Sequence, residues 1–146
     1  MKRVLDVTLS GVGLIVSSPV WLAIATAIKV DSPGPVFYGQ RRVGEGGRHF
    51  RVLKFRSMIA DAERGVGPLQ ASTHDRRITR GGGLLRATAM DELPQLWNIF
   101  AGDMSFVGPR PLRPGEIEVR GDGQLLRLDQ IPGYEERHGV RPGLTG

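Results

Sequence analysis

Apolar positions fall into one long block and several short ones. From Val7 to Ile28 the chain carries no charge for 22 residues, bounded by Asp6 and Lys29. As a straight helix that run would be about 33 Å long, enough to cross a bilayer core of about 30 Å. Pro19 falls inside it, removes one backbone donor and crowds the carbonyl of Ile15, so the pattern predicts a kink. Ser17 and Ser18 are placed to hydrogen-bond the freed carbonyls. Four readings compete: a signal peptide, a straight bitopic anchor, a buried core helix, and a helix–break–helix hairpin that enters one leaflet and returns. The signal peptide fits the basic start (Lys2, Arg3) and the small residues Ala23, Ala25 and Ala27, but Asp6 and a central Pro19 fit it poorly. The hairpin fits the flanking charge. Lys2 and Arg3 stand on one side and Lys29, Arg41 and Arg42 on the other, so the positive-inside tendency draws both ends to the cytoplasm.

Beyond residue 30, Asp31-Ser32-Pro33-Gly34-Pro35 is a dense turn signal and the expected hinge between a membrane segment (1–30) and a soluble domain (31–146). Val36–Gln40 and His49–Phe55 read as short strands joined through the glycine-rich Val43–Gly47, hence a hairpin. The charged connector Asp61–Thr79 lacks hydrophobic periodicity and is expected to be a loop with a short helix near Asp61–Arg64. Leu93, Leu96, Trp97 and Phe100 recur at i, i+3, i+4 and i+7, which predicts a helix over Glu92–Phe100 stopped by Gly102. Because Pro94 is tolerated only in a first turn, Asp91 is expected at the N-cap and Glu92 at the first helical position. Gly108-Pro109-Arg110-Pro111 predicts another turn, followed by a helix around Glu116–Asp129. The last residues, Arg141 to Gly146, close on no recognisable cap. The fold class expected is α+β, mainly helical.

Composition narrows the chemistry. The 146 residues contain no cysteine, which excludes disulfides, zinc–thiolate sites, iron–sulfur clusters and thiol nucleophiles. Twenty basic against fifteen acidic residues give a formal net charge of +5, which favours anionic partners: nucleic acid, phosphorylated substrates or an acidic membrane face. The charge is uneven. Arg41 to Arg86 holds eleven basic residues against Glu45, Asp61, Glu63 and Asp75, a net of +7, whereas Asp91 to Asp103 has a net of −3. A basic surface beside an acidic turn suits a polyphosphate held by arginines and through a divalent cation; the plainer alternative is a solvated basic face against anionic lipid.

Several motifs carry little. Gly44-Glu45-Gly46-Gly47 is no dinucleotide fingerprint, since His49 occupies its third glycine site, and Arg80-Gly81-Gly82-Gly83 precedes no Lys-Ser/Thr of a P-loop. His49, His74 and His138 are too scattered for a metal-spacing argument, and no serine sits in a nucleophile elbow. Asp91-Glu92 has two readings. Aspartate is a favoured cap and glutamate in a first turn complements the helix dipole. Alternatively, a carboxylate at a helix start that collects phosphate could attack phosphorus covalently, provided that nearby cations offset the repulsion and Mg²⁺ takes a carboxylate together with substrate phosphates.

The string Asp91-Glu92-Leu93-Pro94-Gln95-Leu96-Trp97-Asn98, with Gly102-Asp103-Met104-Ser105 and Val107-Gly108-Pro109-Arg110-Pro111, resembles the signature of bacterial monotopic phosphoglycosyl transferases. Further matches run in order along nearly the whole chain: Lys2-Arg3 with Asp6, Ser18-Pro19, Asp31-Ser32-Pro33-Gly34-Pro35-Val36-Phe37, Lys54-Phe55-Arg56-Ser57-Met58, Asp75-Arg76-Arg77-Ile78-Thr79-Arg80 and Val140-Arg141-Pro142-Gly143-Leu144-Thr145-Gly146. The resemblance implies transfer of a sugar-1-phosphate from a UDP-sugar to undecaprenyl phosphate, with release of UMP, at the cytoplasmic face of the bacterial inner membrane as the first membrane step of surface-glycan assembly. It implies a re-entrant helix broken at Ser18-Pro19, with Asp91 as nucleophile and Glu92 as a magnesium-associated partner. Lys54, Arg86 and Arg110 would be cationic positions that bind substrate phosphate. A two-step exchange through an aspartyl phosphosugar would let two anionic substrates use one site in turn.

The family pattern continues into a W-A-Q-V-x-G-R stretch where this sequence stops at Gly146, and larger members carry additional N-terminal membrane helices; a shortened member or a fragment is therefore expected. The competing expectation from another class is a non-catalytic, membrane-attached basic binding module, either a degenerate transferase or a scaffold. Nucleic acid is not expected as a partner, because only Phe50 and Phe55 interleave with the basic strand. The sugar, the pathway and the oligomeric state are not specified by any residue.

Overall fold

A computed structural model describes residues 1–59, 76–115, 117–119, 125–130 and 132–145, with backbone alone at 117–119, 125, 126 and 128. Among these residues the chain is α+β, with four α-helices and three two-stranded sheets. The expected helix near Asp61–Arg64 lies outside the described residues.

Helix α1 (Lys2–Asp31) is 30 residues long and helical throughout, Pro19 included. The missing proline N–H would have bonded the Ile15 carbonyl, and Ser18 Oγ donates to that oxygen at 2.8 Å instead. By length and composition α1 could cross a membrane. One side is buried through Asp6, Ser10, Ile24 and Ile28, while Val12, Ile15, Val16, Val20 and Leu22 stand exposed along its middle. Apolar exposure on that scale marks a surface meant for lipid or a partner.

Both ends of α1 are tied to the same domain. Near its start, Lys2 Nζ donates to the Val107 carbonyl at 2.9 Å, and Arg3 donates to the Ile99 and Phe100 carbonyls at 2.6 and 2.8 Å. Asp6 accepts from Ser105 Oγ at 2.8 Å and from the Phe106 N–H at 3.2 Å. Near its other end, Ile24 and Ile28 join Phe55 and Leu85 in a core flanked by Trp21, Val36 and Leu93. Burying each such side chain stabilises the fold by about 1.5–3 kcal/mol. The expected hinge follows: Arg56 donates to the Ser32 and Pro33 carbonyls, each at 2.6 Å, and so latches the turn.

The hairpin pairs β1 (Phe37–Val43) with β2 (His49–Phe55) in antiparallel register, Tyr38 opposite Lys54 and Arg42 opposite Phe50. β1 runs to Val43 rather than ending at Gln40. Helix α2 (Arg80–Ala87) forms despite three glycines, because Thr79 Oγ1 caps the Gly82 N–H and Asp31 Oδ2 takes the Gly81 N–H, each at 3.0 Å. A Cβ at Gly82 would stand 2.0 Å from the Ser57 carbonyl, so this glycine serves close packing rather than phosphate binding.

Helix α3 (Gln95–Ala101) is shorter than the expected Glu92–Phe100: Met90–Glu92 is a separate 3₁₀ turn, and Pro94 caps α3. Asp91 is therefore not an N-cap, and Glu92 is not a first helical residue; Pro94 lacks the N–H that would bond the Met90 carbonyl and carry the turn on into α3. Burial also differs from the expected stripe. Leu96 and Ile99 are buried while Trp97 and Phe100 are exposed. Leu96 and Phe100 lie against Gly13 and Gly11 of α1, where a Cβ would come within 3.2 and 3.4 Å.

Among the described residues, the helix expected around Glu116–Asp129 is replaced by strands. Strands β4 (Ile117–Val119) and β5 (Leu125–Arg127) pair antiparallel there, followed by a 3₁₀ turn at Leu128–Gln130. The β-branched Ile117 and Val119 and the Gly121-Asp122-Gly123 turn signal outweigh the helical reading. After α4 (Tyr134–Arg137), the C-terminal segment is structured as β6 (Gly143–Thr145), parallel to β3 (Ser105–Val107). Gly108 and Gly143 make that pairing possible, since a Cβ on Gly143 would stand 2.1 Å from the Gly108 nitrogen. Val52, Ile99 and Met104 form a second core beneath β3 and β6.

Candidate active site

The acidic pair sits on the 3₁₀ turn between α2 and α3, entered through Ala89 at φ 55°, the one non-glycine residue with positive φ among those described. A left-handed alanine costs about 1–2 kcal/mol, and such strain persists only where the surroundings impose it. Packing of the turn against β2 and α2 brings Lys54 and Arg86 to the carboxylates.

Lys54 Nζ meets Glu92 Oε1 at 2.6 Å, both side chains partly exposed. Asp91 is only 8% exposed. Among the described residues its carboxyl takes a hydrogen bond only from its own backbone N–H, and its pKa lies above the ordinary 3.8. Burial is the main cause and the adjacent Glu92 adds to it, while the positive charges of Lys54 and Arg86 pull the other way. The result is a carboxylate that is poorly solvated, short of hydrogen bonds and faced by cations, as an activated nucleophile requires.

Four of the five candidate residues thus come together: Asp91, Glu92, Lys54 and Arg86. Arg110 is not among the charges bearing on Asp91. It is exposed on the loop after β3, where its carbonyl accepts from Arg137 Nη2 at 3.1 Å. Ser18 and Pro19 lie in the exposed middle of α1. A cleft of about 180 Å³ lies at the opposite end of α3, lined in part by Glu45, Arg48, Asp103 and Arg141, with Arg141 Nε 3.0 Å from Glu45 Oε2.

For a divalent cation the chemistry of the donor set is suitable: two adjacent carboxylates supply hard oxygens, and Glu92 Oε2 has no protein partner among the described residues. No cluster of three or more potential ligand side chains occurs among those residues.

Three residues have settings that the sequence does not announce. Asn98 joins α3 to β2, donating to the Arg51 carbonyl at 2.7 Å and accepting from the Leu53 N–H at 2.9 Å. Ala89 sets the turn. Arg42, which reads in sequence as a flanking charge, is only 8% exposed and bonds to Pro111 and Gln40. Strand alternation could have found it, since Arg41 and Arg42 must face opposite sides.

The chain matches the bacterial sugar transferase family over residues 1–146. It is 44% identical over 145 residues to a UDP-glucose:undecaprenyl-phosphate glucose-1-phosphate transferase of Xanthomonas campestris pv. campestris, covering 99% of this chain and 28% of that protein. It is 43% identical over 146 residues to a UDP-N-acetylgalactosamine-undecaprenyl-phosphate N-acetylgalactosaminephosphotransferase of Aeromonas hydrophila, covering 100% of this chain and 33% of that one. It is 44% identical over 146 residues to the exopolysaccharide production protein PSS of Rhizobium leguminosarum bv. phaseoli, covering 100% of this chain and 71% of that one. The chain thus spans a third or less of the length of two of these relatives.

Proposed function

The chain belongs to the bacterial sugar transferase family, and from that premise we propose that it transfers a sugar-1-phosphate from a UDP-sugar to undecaprenyl phosphate, releasing UMP and initiating assembly of a surface polysaccharide or glycoconjugate. The observation that carries this reading is Asp91 itself, a buried carboxylate short of hydrogen bonds on a strained turn, with Lys54 and Arg86 bearing on it.

In the first step an Asp91 carboxylate oxygen attacks the sugar-bearing phosphorus. The bond from that phosphorus to the bridging oxygen breaks, and UMP leaves with the electron pair. In the second step an oxygen of undecaprenyl phosphate attacks the same phosphorus, and Asp91 leaves as carboxylate. Weak solvation keeps the attacking oxygen reactive, while Lys54 and Arg86 offset the repulsion between two anions. Glu92, tied to Lys54 at 2.6 Å, would hold Mg²⁺ together with Asp91. That ion would supply charge neutralisation at the diphosphate. Arg110 would bind donor phosphate from the loop after β3.

Membrane attachment follows the same logic. A straight span would carry one end of α1 across the bilayer, but both ends are bonded to one domain. This supports a monotopic, re-entrant attachment at the cytoplasmic face of the bacterial inner membrane, with Val12–Val20 in the lipid. The chain has no cysteine, so single cysteines at Ser32 and beside Lys2 report topology directly. Both should label from the cytoplasmic side alone, and periplasmic labelling of either would refute the re-entrant reading.

The decisive assay combines undecaprenyl phosphate, Mg²⁺ and a panel of UDP-sugars. UMP should appear with one or more donors, and incubation with the competent donor alone should raise the intact mass by one phosphosugar. A mass that stays unmodified despite turnover would favour direct single displacement. Absence of Mg²⁺-dependent turnover with every donor would leave the non-catalytic binding module.

A further inference from the structure

The loop Gly108-Pro109-Arg110-Pro111-Leu112 is poor in backbone donors, because its two prolines bring no N–H. Its carbonyls compensate. Four in succession are each taken by a donor from elsewhere in the chain: Pro109 by the Gly143 N–H at 2.9 Å, Arg110 by Arg137 Nη2 at 3.1 Å, Pro111 by Arg42 Nη1 at 2.9 Å and Leu112 by the Val43 N–H at 2.9 Å. In their midst the Arg110 side chain is exposed. Fixing the backbone under an exposed cation narrows the space its guanidinium sweeps, which is the preorganisation that anion binding needs.

Of the donors, Arg42 is the one whose presence needs a reason. A guanidinium only 8% exposed is costly to bury, and an apolar residue would serve stability at least as well. What an apolar residue could not do is grip the Pro111 carbonyl while bonding Gln40 Oε1. Register adds a second point. Tyr38, Gln40 and Arg42 share one face of the hairpin with their partners Lys54, Val52 and Phe50. β1 therefore holds the Arg110 loop at one end and faces Lys54, the partner of Glu92, at the other. The two lie four residues apart, about 13 Å along the strand.

The geometry points to Arg42 as a positioning residue for donor binding: it acts through Arg110, holding that cation at a fixed distance from the carboxylate turn. This rests on the reading of Arg110 as a phosphate-binding residue. The test is a double-mutant cycle on the whole chain in lipid nanodiscs, with UDP as probe, its Kd measured by calorimetry in Mg²⁺. Arg110→Ala and Arg42→Lys should each raise Kd about tenfold. The double variant should be no weaker than Arg110→Ala alone, because both changes remove the same contact. Gln40→Ala, which takes one bond from Arg42 and leaves the guanidinium in place, should move Kd the same way by a smaller factor. With the competent donor, Arg42→Lys should raise KM more than it lowers kcat. Additive losses in the double variant would overturn the inference while leaving Arg110 its role. An unchanged Kd in Arg110→Ala would remove that role and the inference with it. If Arg42→Lys lowers the melting temperature but the folded fraction binds UDP normally, Arg42 is a structural residue and the inference also fails.

Discussion

Two buried aspartates stand near opposite ends of α3, and they are opposites in kind. Asp6, 5% exposed, accepts from the Ser105 hydroxyl and the Phe106 N–H, and beside it Arg3 takes the last carbonyls of α3. Asp91, 8% exposed, has its own N–H and two cations. Burial alone therefore does not separate the two carboxylates; hydrogen bonding does. One aspartate is bonded to the segments around it, and the other is faced by charge instead.

The sharpest way to break that contrast is to neutralise each in turn. Asp91→Asn should lower UMP release by about a thousandfold or more, since it would remove the proposed nucleophile. Undiminished release would strip Asp91 of its role. Asp6→Ala should cost about 1–3 kcal/mol of stability, because it leaves buried donors unpaired. It should reduce activity only as far as it reduces the folded fraction, read by denaturant titration alongside turnover.

A subtler separation comes from pH. Asp91 binds its proton more tightly in the folded state than unfolded, so its favourable contribution is complete below 3.8 and is lost as pH rises through the folded value. A neutral amide in its place would carry no such loss. The Asp91→Asn variant should therefore melt a few degrees above the parent at neutral pH, the difference closing at acid pH. A parent that melts higher at neutral pH would mean the site stabilises the charged carboxylate. Smallest of all, Ser105→Ala should cost about 1 kcal/mol, because it removes one hydrogen bond from Asp6 and leaves that of the Phe106 N–H in place.

How far the sequence disclosed this follows from the range of the forces involved. The hairpin, the hinge and the apolar helix were readable because alternation, proline–glycine clusters and an uncharged run are local patterns. The acidic pair was readable as a candidate, yet its setting was not. Asp91 reads as a helix cap in sequence and becomes a buried turn residue only because Pro94 delays α3 and Ala89 takes a left-handed conformation. Arg42 and Gly82 escaped for a related reason: the first is defined by a carbonyl 69 residues away and the second by the Ser57 carbonyl against which it packs. The β3–β6 pair joins segments almost forty residues apart, and no local period announces it. The helix expected after Glu116 failed where the β-branched Ile117 and Val119 favour a strand, a conflict that short windows resolve poorly.

Ser105 joins three distant parts of the chain, its hydroxyl to Asp6 and its amide to the Pro142 carbonyl. A ribosome delivers those parts in order, so the fastening at the foot of α1 is complete only once Pro142 has left the exit tunnel. On the membrane-attached reading, the apolar helix would meet lipid during synthesis while still unclamped. Its orientation at that moment would then fall to flanking charge and to Pro19, and the domain would later lock in a choice already made.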